Sequence, residues 1–460
     1  MAGKPNERLA ALMRDADLSN KRLARRVREL SVRAGKPLPS NHTDVTRWLK
    51  GTVPRAYTVS LIAEAMTDLT GRPVSPADIG FPGAIPSINR AGLDYGATEA
   101  PSTLLAVMEA DLADVQAIVR SELDAQAGPA AALQWLTDGD QPMPENTTGQ
   151  RVGLADVAAV QATTAAFARL DDTYGGDHAR RALVEFLRND AKRLLTGRYS
   201  EPIGRELHRT IAEATLLAAW MSYDAGRHGL AQRYFTLALG LARSGNDQLL
   251  AGSVLDAMSH QATFLGRGTE AATLAKAALA GTRSVATPTL NAHFLLMEAR
   301  GLSVSGDAVG AERALSKAVG IFDRRRPDDD PEWIRYVDDR ELNAEFSHCY
   351  QALGWHHKVD TYAIQSQVGS PRSDFFTSML RATAQLSGPA ADIESACAIA
   401  SEALDAGEHL KSHRAVSYVA DFQAKLAGRD RVAAVVDLVE RNAENRMWNA
   451  GLRTASKIAG

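Results

Sequence analysis

The feature that most constrains this chain is a pattern of glycine and alanine that recurs every 40 residues in its middle part. In each copy an alanine follows the glycine by five residues, a large or apolar residue by nine, and a second alanine by twelve. Glycine permits a tight turn between two helices, and alanines on the second helix let the next helix approach closely. The pattern therefore predicts a series of helical hairpins. Its three copies are Gly226, Ala231, Phe235 and Ala238; Gly266, Ala271, Ala275 and Ala278; and Gly306, Ala311, Leu315 and Ala318.

A single hairpin of this kind cannot bury its apolar face, so neighbouring hairpins are expected to stack into a solenoid. The pattern is similar to the tetratricopeptide repeat, lengthened from its usual size of about 34 residues. A weaker fourth unit is centred on Gly354 and is displaced by the charged insertion 324–332. Two upstream helices, over 155–170 and 179–195, are predicted to cap the array. An α-solenoid of another type is the alternative.

The rest of the chain also has a helical pattern. Runs of alternating β-branched and aromatic residues are nearly absent, and alanine is abundant. We therefore predict an all-α fold in three parts: an N-terminal helical domain over 1–87, a linker over 88–150 and a tetratricopeptide-like α-solenoid over 151–460. The linker is expected to hold one helix near 104–126, because the stretch 128–149 is rich in turn-forming residues.

Charge is distributed unevenly along the chain. Residues 1–56 carry thirteen Lys and Arg against five Asp and Glu, a net of +8, although the whole chain has a net charge of −3. A basic head on an acidic body is typical of a protein in which only the head contacts a polyanion. The alternative is a basic terminus that only improves solubility.

Within this basic head, a short third helix is predicted to start near Ser40 or Asn41 and to end at Gly51. At 100° per residue, Val45, Trp48 and Leu49 share one face. The opposite face combines short hydrogen-bonding side chains with cations, which suits a helix that enters the major groove of DNA. The candidate DNA-binding residues on this face and beside it are Asn41, His42, Thr43, Thr46, Arg47, Lys50 and Arg55.

The head resembles the helix-turn-helix of the xenobiotic-response-element (XRE, Cro/repressor-like) regulators. The resemblance is carried by Leu23-Ala24, by Val45-x-x-Trp48-Leu49-x-Gly51-x-x-Pro54, and by Val59-x-x-Ile62-Ala63-x-Ala65. It implies that residues 40–50 form the recognition helix. The spacing between Ala24 and Trp48 is longer than in that family, which indicates a longer second helix or a loop in place of the tight turn.

The complete architecture is similar to a group of actinobacterial regulators with such a head and a tetratricopeptide-like body. The segments 171–176 and 220–226 also fit that group. The resemblance implies a transcriptional regulator that binds double-stranded DNA and controls differentiation or secondary metabolism. A homodimer is expected because one short recognition helix gives limited affinity and two half-sites contacted together give more. The competing hypothesis is a protein-interaction scaffold that binds no specific DNA.

The inner face of the solenoid is predicted to hold an effector, either a peptide, a small molecule or a protein partner. In the repeat register, its helices present a mixture of aromatic and charged groups, which suits ligand binding. The alternative is that the linker or a second subunit fills this groove. The candidate groove residues are Glu213, Trp220, Tyr223, Asp224, Asp256, His260, His293 and Arg300.

Other sites are not expected. Cys349 and Cys397 are the only cysteines, too few for a disulfide framework or a cysteine-rich zinc site. Adjacent His356 and His357 point in different directions on a helix, so no metal is predicted. No usable phosphate-binding, nucleophile-elbow or zinc-protease motif is found, and we predict neither an enzyme nor a cofactor. A polar N-terminus and the lack of a long apolar run predict a cytoplasmic protein without membrane contact.

Overall fold

The computed structural model describes residues 5–33, 37–54, 56–70, 74, 78–81, 90–96, 99–139, 143, 147, 149–367, 371–387 and 391–458. These residues form twenty-two α-helices and two short 3-10 helices, and no β-strand occurs among them. The predicted all-α fold is confirmed. None of the helices in these ranges combines the length and the apolar character that a bilayer crossing requires.

Four helices form the head, and they enclose a core of their own. Leu9, Val27, Val45 and Ile62 are fully buried in it, each on a different helix. The Asn6 side chain caps the first helix and also donates a hydrogen bond of 2.8 Å to the carbonyl of Ile79. The head helices are α1 (Glu7–Asp15), α2 (Asn20–Arg33), α3 (His42–Leu49) and α4 (Ala56–Thr70).

The segment between head and repeats differs from the expected linker with one helix. It contains three helices, which are α5 (Ala100–Leu112), α6 (Gln116–Val119) and α7 (Ala127–Thr137). Leu104, Met108 and Trp135 are buried in the same core as the repeats. Helix α7 was missed because its Gly128-Pro129 pair suggests a loop, whereas proline is tolerated in the first turn of a helix. This segment is therefore packed onto the body.

Two antiparallel helices precede the glycine repeats, as predicted for a capping pair, and four hairpins follow. The described helices of this part are α8 (Leu154–Tyr174), α9 (Gly176–Leu195), α10 (Glu201–Asp224), α11 (His228–Ser244), α12 (Gln248–Phe264), α13 (Gly268–Gly281), α14 (Pro288–Val304), α15 (Ala308–Phe322), α16 (Asp339–Ala352) and α17 (His356–Gln365). The 3-10 helices Pro327–Asp329 and Glu332–Ile334 lie within the charged insertion and after it.

The glycine of each hairpin lies in the turn between its two helices, as the repeat pattern predicts. Gly226, Gly266, Gly306 and Gly354 have φ angles of 74°, 72°, 79° and 72°. This left-handed region favours glycine over any residue with a Cβ atom. All the alanines of the three strong repeats are fully buried, so the hairpins pack closely against one another. Solenoid-like stacking of consecutive helices is therefore confirmed.

Five more helices close the chain and enclose a second core around Phe375, Phe422 and Trp448. They are α18 (Pro371–Gln385), α19 (Ile393–Ala406), α20 (His413–Leu426), α21 (Ala433–Arg441) and α22 (Arg446–Ile458). This C-terminal part returns to the start of the array. The Lys411 amide donates to the Tyr174 carbonyl over 2.7 Å, between the end of α8 and the start of α20. The inner face of the array is thereby enclosed by helices from both of its ends.

Candidate functional site

The candidate DNA-contacting helix α3 begins with a well-defined cap. The Asn41 side chain accepts hydrogen bonds from the amides of Thr43 (2.8 Å) and Asp44 (3.3 Å), and the Asp44 carboxylate accepts one from the Asn41 amide (3.0 Å). This reciprocal capping box satisfies amides that would otherwise lack a partner. It fixes the helix start at His42, one or two residues later than the sequence indicates.

One face of α3 is buried and the opposite face is exposed, as the sequence predicts. Val45 and Trp48 are buried in the head core, and Leu49 is partly buried. The opposite side is open to solvent. Its exposed residues are Asn41, His42, Thr43, Arg47 and Lys50. A surface of this kind is sterically free to contact a macromolecule.

Two of the candidate DNA-binding residues, Thr46 and Arg47, already contact other residues of the head. The Thr46 hydroxyl donates to the His42 carbonyl over 2.9 Å and accepts from the Asn20 amide group of α2 over 3.2 Å. Arg47 lies 3.5 Å from the Asp44 carboxylate, but its side chain is 66% exposed, so this ion pair is weak. Arg55 lies outside the described residues.

Helix α2 places further cations next to α3. Lys21, Arg22 and Arg25 are exposed, and Arg28 donates over 3.2 Å to the carbonyl of Ser40, just before α3. This last bond ties the two helices together across the long connection that the sequence indicates. Helix α2 itself spans fourteen residues. The long spacing between Ala24 and Trp48 is therefore explained by a long second helix together with a loop.

The inner face of the body forms a half-open cavity of about 510 Å³. Four of the eight predicted groove residues line it together, and they are Trp220, Asp256, His260 and His293. They come from α10, α12 and α14, the first helices of the three strong repeats. Trp220 and His260 are 40 residues apart, so the repeat register brings these two equivalent positions of successive repeats to one surface.

The other four predicted groove residues do not line this cavity. Tyr223 is fully buried behind it, with its hydroxyl 3.1 Å from His260 Nδ1. Arg300 is buried and pairs with Glu345 over 3.1 Å. Asp224 is buried among partners from three other helices. Glu213 lies elsewhere on α10, where burial and the nearby Asp247 raise the pKa of its carboxyl to about 7.

Sequence reasoning missed more than half of the cavity wall. The missed residues come from α8, α16, α18 and α20 and from the segment that precedes α16. They include Asp171, Asp172, Tyr336, Asp338, Glu341, Glu345, His348, Arg372, Phe376 and Arg414. The charged insertion shifts α16 out of the 40-residue register, and α18 and α20 lie beyond the strong repeats. Only the segment 171–176 carried a signal, as part of the family resemblance.

The three histidines that line the cavity differ in their protonation. Burial opposes protonation of His293, but the Asp256 carboxylate, 3.1 Å from Nδ1, outweighs it and raises the pKa of His293 to about 9. Burial and the nearby Arg300 lower the pKa of His260 well below its usual range, and burial does the same for His348. One histidine of the three therefore carries a positive charge at neutral pH.

The carboxyl groups of the cavity are also perturbed. Burial, together with the neighbouring Glu345, raises the pKa of Glu341. Burial raises the pKa of Asp171 despite the opposing charge of Arg372 at 3.1 Å. The wall thus concentrates acidic groups where solvent stabilises them poorly. Among the described residues, however, no group of three or more His, Cys, Asp and Glu has an arrangement that would hold a metal ion.

The family model described as the SP15 N-terminal domain matches residues 9–82. The match covers the four helices of the head and none of the repeats. No curated protein matches the chain.

The His293–Asp256 ion pair predicts how the stability of the folded protein changes with pH. The pKa of His293 rises from about 6.5 in the unfolded chain to about 9 in the folded one. The stabilisation by the protonated His293 is therefore fully present below pH 6.5 and is lost as the pH rises through 9, an effect on the order of 3 kcal/mol. We expect the wild type to exceed His293→Gln in melting temperature at pH 6.5, and this difference to shrink by pH 9.5.

Thermal melts of the wild type and the variant across this range provide the measurement. The exposed His409 offers a control, because His409→Gln is expected to leave the pH profile unchanged. Parallel profiles for the wild type and His293→Gln would contradict the prediction.

Proposed function

We propose that this chain is a sequence-specific DNA-binding transcriptional regulator of the XRE type, with α3 as the recognition helix. The observation that carries the proposal is the division of α3 into a face buried by Val45 and Trp48 and an opposite face of exposed, slim or cationic side chains. Short polar side chains reach base edges, and cations hold phosphates. The cations of α2 beside this face extend the phosphate-binding surface.

The α3 residues differ in whether their side chains already make hydrogen bonds within the head, and this difference assigns them different roles in DNA binding. Thr43 and His42 are exposed near the N-terminus of α3, where a recognition helix contacts base edges. Arg47 and Lys50 follow on the same exposed side and suit phosphate contacts. Thr46 serves mainly to fix α3 against Asn20 of α2, since its hydroxyl is already bonded. In this assignment Thr43 contributes to sequence preference, and Arg47 contributes to affinity for any sequence.

The body completes the proposed regulator. Stacked helical hairpins with a half-open, charged cavity support a sensor role for the repeats in a cytoplasmic protein. A homodimer supports specific binding, because two half-sites contacted together give higher affinity than one short helix. Control of differentiation or secondary metabolism is the biological role that the family resemblance suggests.

The proposal is tested by selecting DNA sequences that the full-length chain retains from a random pool and by measuring affinity across a salt series. We expect log K to fall with log salt at about 0.9 per phosphate contact. The variant Arg47→Ala is expected to bind the selected sequence about tenfold more weakly and to lower the salt slope by about 1. Thr43→Ala is expected to relax the preference at one base pair.

A matched control is Arg441→Ala, an exposed arginine on α21 that also pairs with a carboxylate. It is expected to leave DNA binding unchanged. Unaltered affinity and salt slope in a folded Arg47→Ala, Lys50→Ala double variant would exclude α3 as the contact. If no sequence were enriched by the wild type, the interaction scaffold would replace the regulator as the better hypothesis.

A further inference from the structure

We propose that the cavity binds a small organic cation, namely a primary amine or guanidinium group carried on an aromatic or aliphatic body. This inference deepens the proposed function by naming the class of effector. It rests on that function only for the regulatory role of the ligand, because binding can be measured without DNA. The volume of about 510 Å³ lies within the range of small-molecule sites.

The first argument is the charge of the cavity and of the residues directly behind it. Seven carboxyl groups lie among four cations there, so acids outnumber cations by three, although burial raises the pKa of two of the carboxyl groups, Asp171 and Glu341. The carboxyl groups belong to Asp171, Asp172, Asp224, Asp256, Asp338, Glu341 and Glu345. The cations are His293, Arg300, Arg372 and Arg414.

These cations are already engaged by carboxylates, so they do not neutralise the remaining acids. Arg372 pairs with Asp171 over 3.1 Å and with Asp224 over 3.2 Å. Arg414 lies 3.9 Å from Asp224 and over the Tyr223 ring at 4.9 Å. Glu341 forms no ion pair with the residues that the structure describes. A positively charged ligand would supply the missing partner.

The second argument is independent of net charge and concerns hydrogen bonding. Asp171 and Glu345 are only 9% and 4% exposed, and both line the cavity. One carboxylate oxygen of each, Asp171 Oδ1 and Glu345 Oε2, has no hydrogen-bond partner within the described ranges of the chain. Buried acceptors of this kind are normally satisfied. Both oxygens are closed to solvent, so a ligand in the cavity would reach them by a rotation of the carboxyl group. The N–H groups of an ammonium or guanidinium ion are donors with the required charge.

The third argument is the aromatic part of the wall. The rings of Trp220, Tyr336 and Phe376 line the same cavity, and Tyr336 is largely exposed. Aromatic faces attract organic cations and pack against their apolar bodies. An aromatic amine therefore fits all three observations.

Calorimetric titration of the full-length chain tests the proposal without DNA. The probes are tyramine, an aromatic amine, and agmatine, an aliphatic guanidinium, with 4-hydroxyphenylacetate as an anion that matches tyramine in size. We expect saturable binding of at least one cation and none of the anion. Glu341→Gln and Trp220→Ala are each expected to weaken that binding about tenfold or more.

Glu213→Gln is the matched control, because this acid on α10 also has a raised pKa but lies outside the cavity. It is expected to bind the cations as the wild type does. Equal binding of the anion would overturn the proposal. The proposal would also be overturned if Glu341→Gln and Trp220→Ala both left cation binding unchanged. It would equally be overturned if neither cation showed saturable binding up to about 10 mM. Because no DNA is present, none of these results depends on whether the head binds an operator.

Discussion

Replacing Asp224 with alanine is expected to lower the free energy of unfolding by about 3–5 kcal/mol. Asp224 is 1% exposed, at the end of α10. Its carboxylate accepts hydrogen bonds from the Gly176 amide (2.8 Å) and the Ser412 hydroxyl (2.9 Å), and it pairs with Arg372. Removing it leaves a buried arginine with less compensation and two donors without their partner.

Chemical denaturation of the wild type and Asp224→Ala provides the measurement. The exposed Arg441–Asp405 pair supplies a matched control, and Asp405→Ala is expected to cost less than about 1 kcal/mol. Hydrogen exchange should also show faster exchange in Asp224→Ala around Ser412, where the C-terminal helices meet α9 and α10. A loss of stability no greater than that of the control would mean that these contacts do not hold the two ends of the array together.

The second large effect is expected for Asp111→Ala on α5, again about 3–5 kcal/mol. The Asp111 carboxylate accepts from Arg180 over 2.6 Å and from the Tyr234 hydroxyl over 2.8 Å. The Arg180 side chain is only 4% exposed, so it would lose its charge partner in a buried position. The double variant Asp111→Leu, Arg180→Met is expected to recover most of the lost stability, because it removes both charges.

This prediction also tests how the segment before the repeats belongs to the fold. If α5 is an integral part of the body, a fragment that starts at residue 90 should be more stable than one that starts at residue 151. The shorter fragment would expose the surface that α5 and α7 cover. Thermal melts of the two fragments give the comparison. Equal stability of the fragments, or of Asp111→Ala and the wild type, would show that the segment is a dispensable linker.

Features that repeat in the sequence were predictable. The turn glycines and the buried alanines follow from a local rule that applies in each hairpin, and Gly226, Gly266 and Gly306 all lie where that rule places them. The solvent-facing side of α3 was also predictable, because the period of a helix and the apolar residues Val45 and Trp48 fix which side is buried.

Features that depend on distant, single contacts were not predictable. The pairing of Arg372 with Asp171 and Asp224 joins helices far apart in sequence, and no periodic pattern marks it. The cavity shares this limitation. Its predicted residues come from α10, α12 and α14, whereas the larger part of its wall depends on how the C-terminal helices return to α8. Glu341 and Glu345 were missed because the insertion before α16 interrupts the register.

The contact between Asp224 and Ser412 has a consequence for biosynthesis. The two residues are 188 positions apart, so the first hairpins leave the ribosome long before their last partners exist. Until these partners have been synthesised, the Asp224 carboxylate lacks first Arg372 and then Ser412. Solvent hydrates the carboxylate in their place, which opposes its burial. Local hairpins form early because their contacts are short in sequence, but the final contact must wait for loop closure over a long stretch of chain. Translation that stops before residue 412 would therefore release an open array, recognisable to proteases by its unpaired ends.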